Sequence, residues 1–384
     1  MTVFFALGFR PFFLLSGILA VVLIAVWVPA FVGWHSFSNY YGQIGWHSHE
    51  MIFGYTCAVI AGFLLTAVRN WTERPTAAGG SLALLASLWL AGRILPFFLK
   101  AVSPWLIALA DLAFLPALAV AIGAPLVRHA ERRNLIFLPL LIVLFIANLL
   151  AHLEALGFAP GVGRRGIFLG LHLILLLIVI MGGRVIPFFT ERALNGVVIE
   201  RRAIIEWMAP LSVVAFMLLE VFLPDSRLAG VLAALAAIIN GIRLASWYSH
   251  RYWQVPLLWV LHLGYGWIVA GLALKAAAAF GLILPQFTVH AFTVGGIGVL
   301  TLGMMARVSL GHTGRPLAVG PSMVAGFALL NLAAIGRGLA PLFVPLWFPQ
   351  LIIASGALWI AAFMIFVFIY APILTQARAD GRPG

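Results

Sequence analysis

The sequence predicts an all-α, polytopic membrane protein of twelve transmembrane helices, and three observations carry that prediction. Hydrophobic residues fill 64% of the 384 positions and charged residues only 9%, too little polar surface to cover a water-soluble globule. The apolar residues fall in runs of about twenty, long enough to cross a hydrocarbon core as helices, and lack the alternating strands of about ten that build a barrel. The formal charge of +12 would suggest nucleic acid in a soluble chain. Here the arginines lie in short connections between apolar runs, where the positive-inside rule accounts for them, so no nucleic-acid partner is expected. Cys57 is the single cysteine, which excludes an intrachain disulfide, a zinc ribbon or a cysteine-ligated cluster.

The spans are expected at 12–33, 47–68, 80–98, 104–127, 134–156, 166–183, 205–223, 228–247, 255–278, 286–306, 321–341 and 350–374, forming one transmembrane domain over 1–384. The first has no small-residue cleavage site after it and is expected to be retained. The second opens on Trp46-His47-Ser48-His49-Glu50-Met51 and closes on Arg69-Asn70-Trp71. The third carries Trp89-Leu90-Ala91-Gly92-Arg93, the fourth Asp111, and the fifth His152 and Glu154 near its end. The sixth carries His172 and is followed by the longest polar stretch, 184–202, read as an interfacial helix. Glu220 ends the seventh span, His262 lies in the ninth, and His290 opens the tenth, which leaves near Arg307. The eleventh carries Ala333-Ala334-Ile335-Gly336-Arg337.

Counting Lys and Arg fixes the orientation. Most of the 23 fall on the side of Arg69, Arg128, Arg192, Arg251 and Arg315, which places both termini in the cytoplasm. Trp34, Tyr40, Tyr41 and Trp46 suit the outer interface. Spans 2, 6 and 10 each begin near a histidine and end near an arginine, with a period of about 120 residues, which suggests three four-helix units in a pseudo-threefold arrangement. The short His172–Arg184 spacing and the lack of a Gly-Arg pair in span 7 depart from that repeat.

The orientation puts a histidine-rich layer in the outer third of the bilayer. His47 and His49 lie at the mouth of span 2, with His172 roughly 9 Å into span 6 and His290 roughly 6 Å into span 10. His152, Glu50, Glu154, Glu220 and Asp111 fall in the same layer. Ionisable groups at such depth are costly and face the bundle interior. Neutral imidazole ligates copper and haem iron, so His47, His49, His152, His172 and His290 are the candidate ligands. Residues i and i+2 of a helix point about 200° apart, so His47 and His49 serve two sites, or else act as plain interfacial caps. For His172 and His290 the plain alternative is a histidine bonded to a neighbouring helix, and for His152 a loop-edge pair with Glu154. Inner-end Arg69, Arg184 and Arg307 read most simply as snorkelling anchors. Arg93 and Arg337 lie on the outer side, against the charge bias, and need something negative: a cofactor carboxylate such as a haem propionate, or a local one such as Glu50 or Asp111. Glu50 and Glu220 are candidate proton carriers, with solvation as the plain alternative for Glu220.

Several stretches, Gly8-Phe9-Arg10-Pro11-Phe12-Phe13, Trp46-His47-Ser48-His49-Glu50-Met51, Leu64-Leu65-Thr66-Ala67-Val68-Arg69-Asn70-Trp71, Gly183-Arg184-Val185-Ile186-Pro187-Phe188-Phe189-Thr190 and Gly311-His312-Thr313-Gly314-Arg315, closely resemble the NnrS family. The resemblance covers essentially the whole chain. It implies a bacterial inner-membrane protein containing haem and copper, associated with denitrification and resistance to nitric oxide. The three-by-four arrangement also resembles the catalytic subunit of haem–copper oxidases and nitric oxide reductases. There the His-x-His pair sits on span 10, whereas here it sits on span 2, and span 7 lacks histidine, so the three-histidine copper site does not transfer.

These likenesses set the expectations. A haem, type b, is ligated by His49 or His47 and by His290, with Arg93 and Arg337 holding propionates. Copper sits near His172, with His47, His49 and His152 as further candidate ligands. The protein binds or reduces nitric oxide in the lipid bilayer, with protons through Glu50 and Glu220 and electrons from a quinol or cytochrome. A non-catalytic nitric oxide or metal sensor and a multi-span transporter are the alternatives.

Overall fold

A computed structural model describes residues 3–129, 132–224 and 226–382. Every element among them is helical, and the chain is a multi-pass membrane protein with twelve helices long and apolar enough to span a bilayer. We number these α1 Phe9–Phe31, α2 Gly42–Thr72, α3 Gly80–Phe97, α4 Pro104–Val127, α5 Arg132–Ala155, α6 Val162–Ala193, α7 Ala203–Phe222, α8 Arg227–Ser246, α9 Pro256–Ala279, α10 Gln286–His312, α11 Pro321–Leu342 and α12 Pro345–Thr375. The order and number follow the hydropathy pattern.

The largest difference in a boundary is at the end of the sixth span. The 184–202 stretch is not an interfacial helix: α6 runs on to Ala193 with Pro187 inside it. Ile186 and Thr190 are fully buried, so the extension is a packed helix end despite its arginines. Beyond it the backbone folds over Glu191, which accepts from the Ile199 amide at 3.0 Å and pairs with Arg201 at 3.1 Å.

Three helices contain π-helical segments: Glu50–Thr56 in α2, Ala291–Val299 in α10 and Ile335–Leu339 in α11. Such bulges concentrate at functional sites. In α2 the Thr56 hydroxyl donates to the Met51 carbonyl at 2.7 Å, five residues back. The helical parts of α3 and α11 both end in a 3₁₀ turn containing proline, Pro96 and Pro341, because proline lacks the amide needed to continue the ladder.

Packing groups the chain into two compact units: Met1–Leu171 with Val308–Pro316 and Phe366–Gly384, and His172–Arg307 with Leu317–Ile365. This twofold grouping does not coincide with the four-helix period of the histidines. In the first unit α2 packs on α1 and α4, α3 on α4, and α4 on α5. Phe9, Phe12, Phe13, Leu64 and Leu65 form its core. Arg10 is buried there and donates to the carbonyls of Leu374 at 3.0 Å and Gln376 at 2.7 Å, which ties the C-terminal segment to α1. In the second unit α8 packs between α7 and α9, and α10 packs on α9 and α11. The buried face of α8 is built from Ala229, Gly230, Ala233, Ala236 and Ala237, small residues that let membrane helices approach closely.

Candidate metal centre

In the first unit four helices and one connection deliver polar side chains to one buried place. In α2, His49 and Glu50 come from the junction where the π-helical segment begins, α3 supplies Arg93, α4 supplies Asp111, and α5 supplies Asn148 and His152. The 32–41 connection supplies Tyr40 and Tyr41. Asn148 and His152 are four residues apart and share one helical face. Two glycines allow the close approach. A Cβ at Gly54 would stand 2.6 Å from an Arg93 nitrogen and 2.7 Å from Glu50 Oε2, and one at Gly92 would stand 3.1 Å from Asp111 Cβ.

Asp111 is the hub. Its Oδ1 pairs with Arg93 Nη2. Its Oδ2 accepts from Asn148 Nδ2 at 2.8 Å and lies 3.0 Å from His152 Nε2 and 3.3 Å from His49 Nε2. His49 Nδ1 lies 3.1 Å from Glu50 Oε1, while its Nε2 also meets Asn148 Oδ1 at 2.8 Å and the Tyr41 hydroxyl at 3.1 Å. His152 Nδ1 meets the Tyr40 hydroxyl at 3.3 Å. Arg93 Nη1 approaches Glu50 Oε2 at 3.2 Å, a charge pair without hydrogen-bond geometry. His49 and Glu50 are each only 1% exposed and His152 is 0%, so these charges interact with little water between them. Burial and the nearby Asp111 carboxylate push the Tyr40 phenol up, and the same causes with Glu50 raise Tyr41. Both therefore stay neutral hydroxyls at physiological pH.

Nitrogen and oxygen atoms of His49, Asp111 and His152 all lie within 4.8 Å of one another. Two imidazoles and a carboxylate form a donor set suited to copper, zinc or iron. Each imidazole turns its Nε2 toward Asp111 and has its Nδ1 held by another group, Glu50 or Tyr40. Histidines that ligate metals are commonly oriented in this way. The set fits a metal ion. The surroundings of His49 do not fit haem as its axial ligand. The Tyr41 ring stacks on the imidazole with centroids 4.1 Å apart, and Asn148 and Asp111 fill the Nε2 side. Arg93 is held by Asp111 and Glu50, the local carboxylates that were one of the two partners its position called for.

The other expected site residues lie elsewhere. His47 stacks on Trp27 at 4.4 Å and 7°, on another face of α2 from His49, as their spacing requires. His172, His290, Glu220 and Arg337 belong to the second unit. There His172 is buried edge-on to Phe216 at 5.3 Å. Glu220, for which solvation was the plain alternative, is instead buried in a 2.6 Å ion pair with Lys275. His290 is half-buried, its Nδ1 3.3 Å from the Gln286 carbonyl. Arg337 is half-buried with its guanidinium 5.2 Å from the Phe348 ring centroid. The place of Asp111 between the two histidines and the presence of Asn148, Tyr40 and Tyr41 were not anticipated. Asp111 carried a signal, as the only aspartate inside a predicted span, and so did the four-residue spacing of Asn148 and His152. The two tyrosines read as interface residues.

The sequence matches the family model described as NnrS protein over residues 3–378. No curated protein matches it.

Proposed function

Because the chain belongs to the NnrS family, associated with the nitric oxide response, we propose that it is a bacterial inner-membrane copper protein whose ligand is nitric oxide. The metal would be held by His49, Asp111 and His152, in the outer third of the bilayer by the charge count. The observation that carries this proposal is the convergence of three buried donors within 4.8 Å, each imidazole oriented through its other nitrogen. Copper bound there supplies a Lewis-acidic, redox-active centre.

The remaining residues act on that set. Glu50 orients the His49 ring through Nδ1 and can hold a proton at that nitrogen. Arg93 holds Asp111 in place. Two carboxylates outnumber one guanidinium, so the site favours a cation. Tyr41 and Asn148 cover His49 and keep water out. Nitric oxide is small and weakly polar, so it reaches such a site from the lipid phase. Reductive turnover requires electrons from a quinol or cytochrome; a binder or sensor uses the same site without them.

The test is metal content and absorption of purified protein from copper-supplied cells, oxidised and reduced, with and without nitric oxide. Near-stoichiometric copper is expected in wild type, and His152→Ala, which removes a ligand, should weaken copper affinity by more than the roughly 10- to 100-fold typical of losing a group that only orients one. Unchanged copper in a His49→Ala/His152→Ala variant would sink the proposal. Consumption of nitric oxide by reduced protein separates an enzyme from a binder. The same spectra report haem. A Soret band that survives His49→Ala places haem elsewhere, and one lost with it would contradict the packing around His49.

A further inference from the structure

The arginine-rich end of the second unit holds a cavity that shares no residue with the metal site. Its volume is about 450 Å³, and it is lined by Arg192, Arg307, residues 254–257 and residues 317–319. That size lies within the range of small-molecule sites.

Three observations assign its chemistry. Arg307 of α10 is only 5% exposed, and its Nε is buried without a hydrogen-bond partner. Among the described residues it has no carboxylate; its guanidinium stands 3.8 Å from the Phe189 ring centroid. A snorkelling anchor would carry its charge out to water, and this one does not. Next, the nearby acids are engaged elsewhere. Glu191 takes Arg201 and the Ile199 amide, Glu206 takes Arg243, and no carboxylate lines the cavity. Lastly, the first turn of α9 borders the cavity through Pro256 and Leu257. A helix N-terminus carries partial positive charge, and since Pro256 has no amide and those of Leu258 and Trp259 go to the Val255 carbonyl, the Leu257 amide is the one this turn can offer an anion. Arg192, exposed on the last turn of α6 and 5.6 Å from the Phe188 ring centroid, adds a second guanidinium.

We propose that this cavity binds a phosphate-class oxyanion, held by Arg307 and Arg192 against the first turn of α9. The planar guanidinium fork matches phosphate oxygens in pairs. The phosphate comes either as the soluble ion or as the headgroup of an anionic phospholipid in the leaflet that the charge count makes cytoplasmic.

The test uses full-length, metal-loaded protein in phosphatidylcholine nanodiscs, with and without phosphatidylglycerol. Equilibrium dialysis measures binding of radiolabelled inorganic phosphate, and native mass spectrometry measures phosphatidylglycerol retained after delipidation. Saturable phosphate binding in phosphatidylcholine alone identifies the soluble source; retained phosphatidylglycerol without phosphate binding identifies the lipid. In either case Arg192→Gln, an exposed change that leaves the fold intact, should weaken binding about tenfold. Arg307→Gln should abolish it, and copper content should stay unchanged in both. If wild type binds neither probe, or Arg192→Gln binds like wild type, the proposal is overturned, whether or not Arg307→Gln folds.

Discussion

Asp111 is approached by four side chains at once: Arg93, His49, Asn148 and His152. Replacing it by asparagine keeps the shape and removes the charge. Arg93 is then left with Glu50 alone, and the two imidazoles lose the anion between them. Breaking one partner of a buried ion pair costs about 3–5 kcal/mol. We expect Asp111→Asn to lower the thermal midpoint in detergent and to lose copper; a variant with wild-type stability and metal content would contradict the hub role. The histidine end of this cluster was legible in the sequence, because an ionisable group at the mouth of an apolar span is costly unless used. The partner of Arg93 was legible only as a choice between a cofactor and a local carboxylate. That choice depended on how α3 and α4 pack, a contact between distant residues that no local spacing encodes.

Glycine sets how near the helices of the first unit can come. Gly92 of α3 faces Asp111 of α4, and a Cβ there would have to displace a side chain fixed by four neighbours. Overpacking of this kind costs about 1–3 kcal/mol. Gly92→Ala should therefore lose both stability and copper affinity, with calorimetry and metal analysis as the check. At the other end of the chain, the C-terminal segment docks through Arg378, which donates to the His312 carbonyl at 2.9 Å, and through the Ala379 amide, which donates to Thr313 at 2.9 Å. Asp380 pairs with Arg378, which depresses its carboxyl to about 2 from the usual 3.8. The docking contribution of this pair is present above the unfolded carboxylate value and is lost as pH falls through about 2. A fluorophore at Gly381 should keep its anisotropy from pH 7 to 4 and lose it toward pH 2, and Asp380→Asn should flatten that change. The extension of α6 to Ala193 was hidden because Arg184, Glu191, Arg192 and Pro187 mask the buried Ile186 and Thr190 in any hydropathy count.

At the scale of the whole molecule, twelve spans could be read from the apolar runs along the chain, since the lipid phase forces every backbone amide of such a run into a helix. The division into two units could not. It draws 308–316 and 366–384 back onto the first unit, and such closure depends on long-range packing. The local features repeat across that division. His49 and His290 each precede a π-helical segment. Gly92-Arg93 and Gly336-Arg337 each precede a 3₁₀ turn with proline. A Cβ on Gly336 would stand 2.6 Å from Ser355 Oγ, where its counterpart at Gly92 meets Asp111. In the second unit Ala291 follows the histidine where Glu50 does in the first.

The two units thus carry the same local signature, a histidine before a π-helical segment and a Gly-Arg pair before a proline turn, with different side chains beside it. Ala291→Glu with Ser355→Asp would place carboxylates after His290 and opposite Gly336, as Glu50 follows His49 and Asp111 faces Gly92 in the first unit. The histidine and asparagine that α5 contributes, and the two tyrosines of the 32–41 connection, would still be missing. Copper counted per chain in that double variant would measure how much of the site resides in the shared signature with its carboxylates and how much in the fifth helix and that connection.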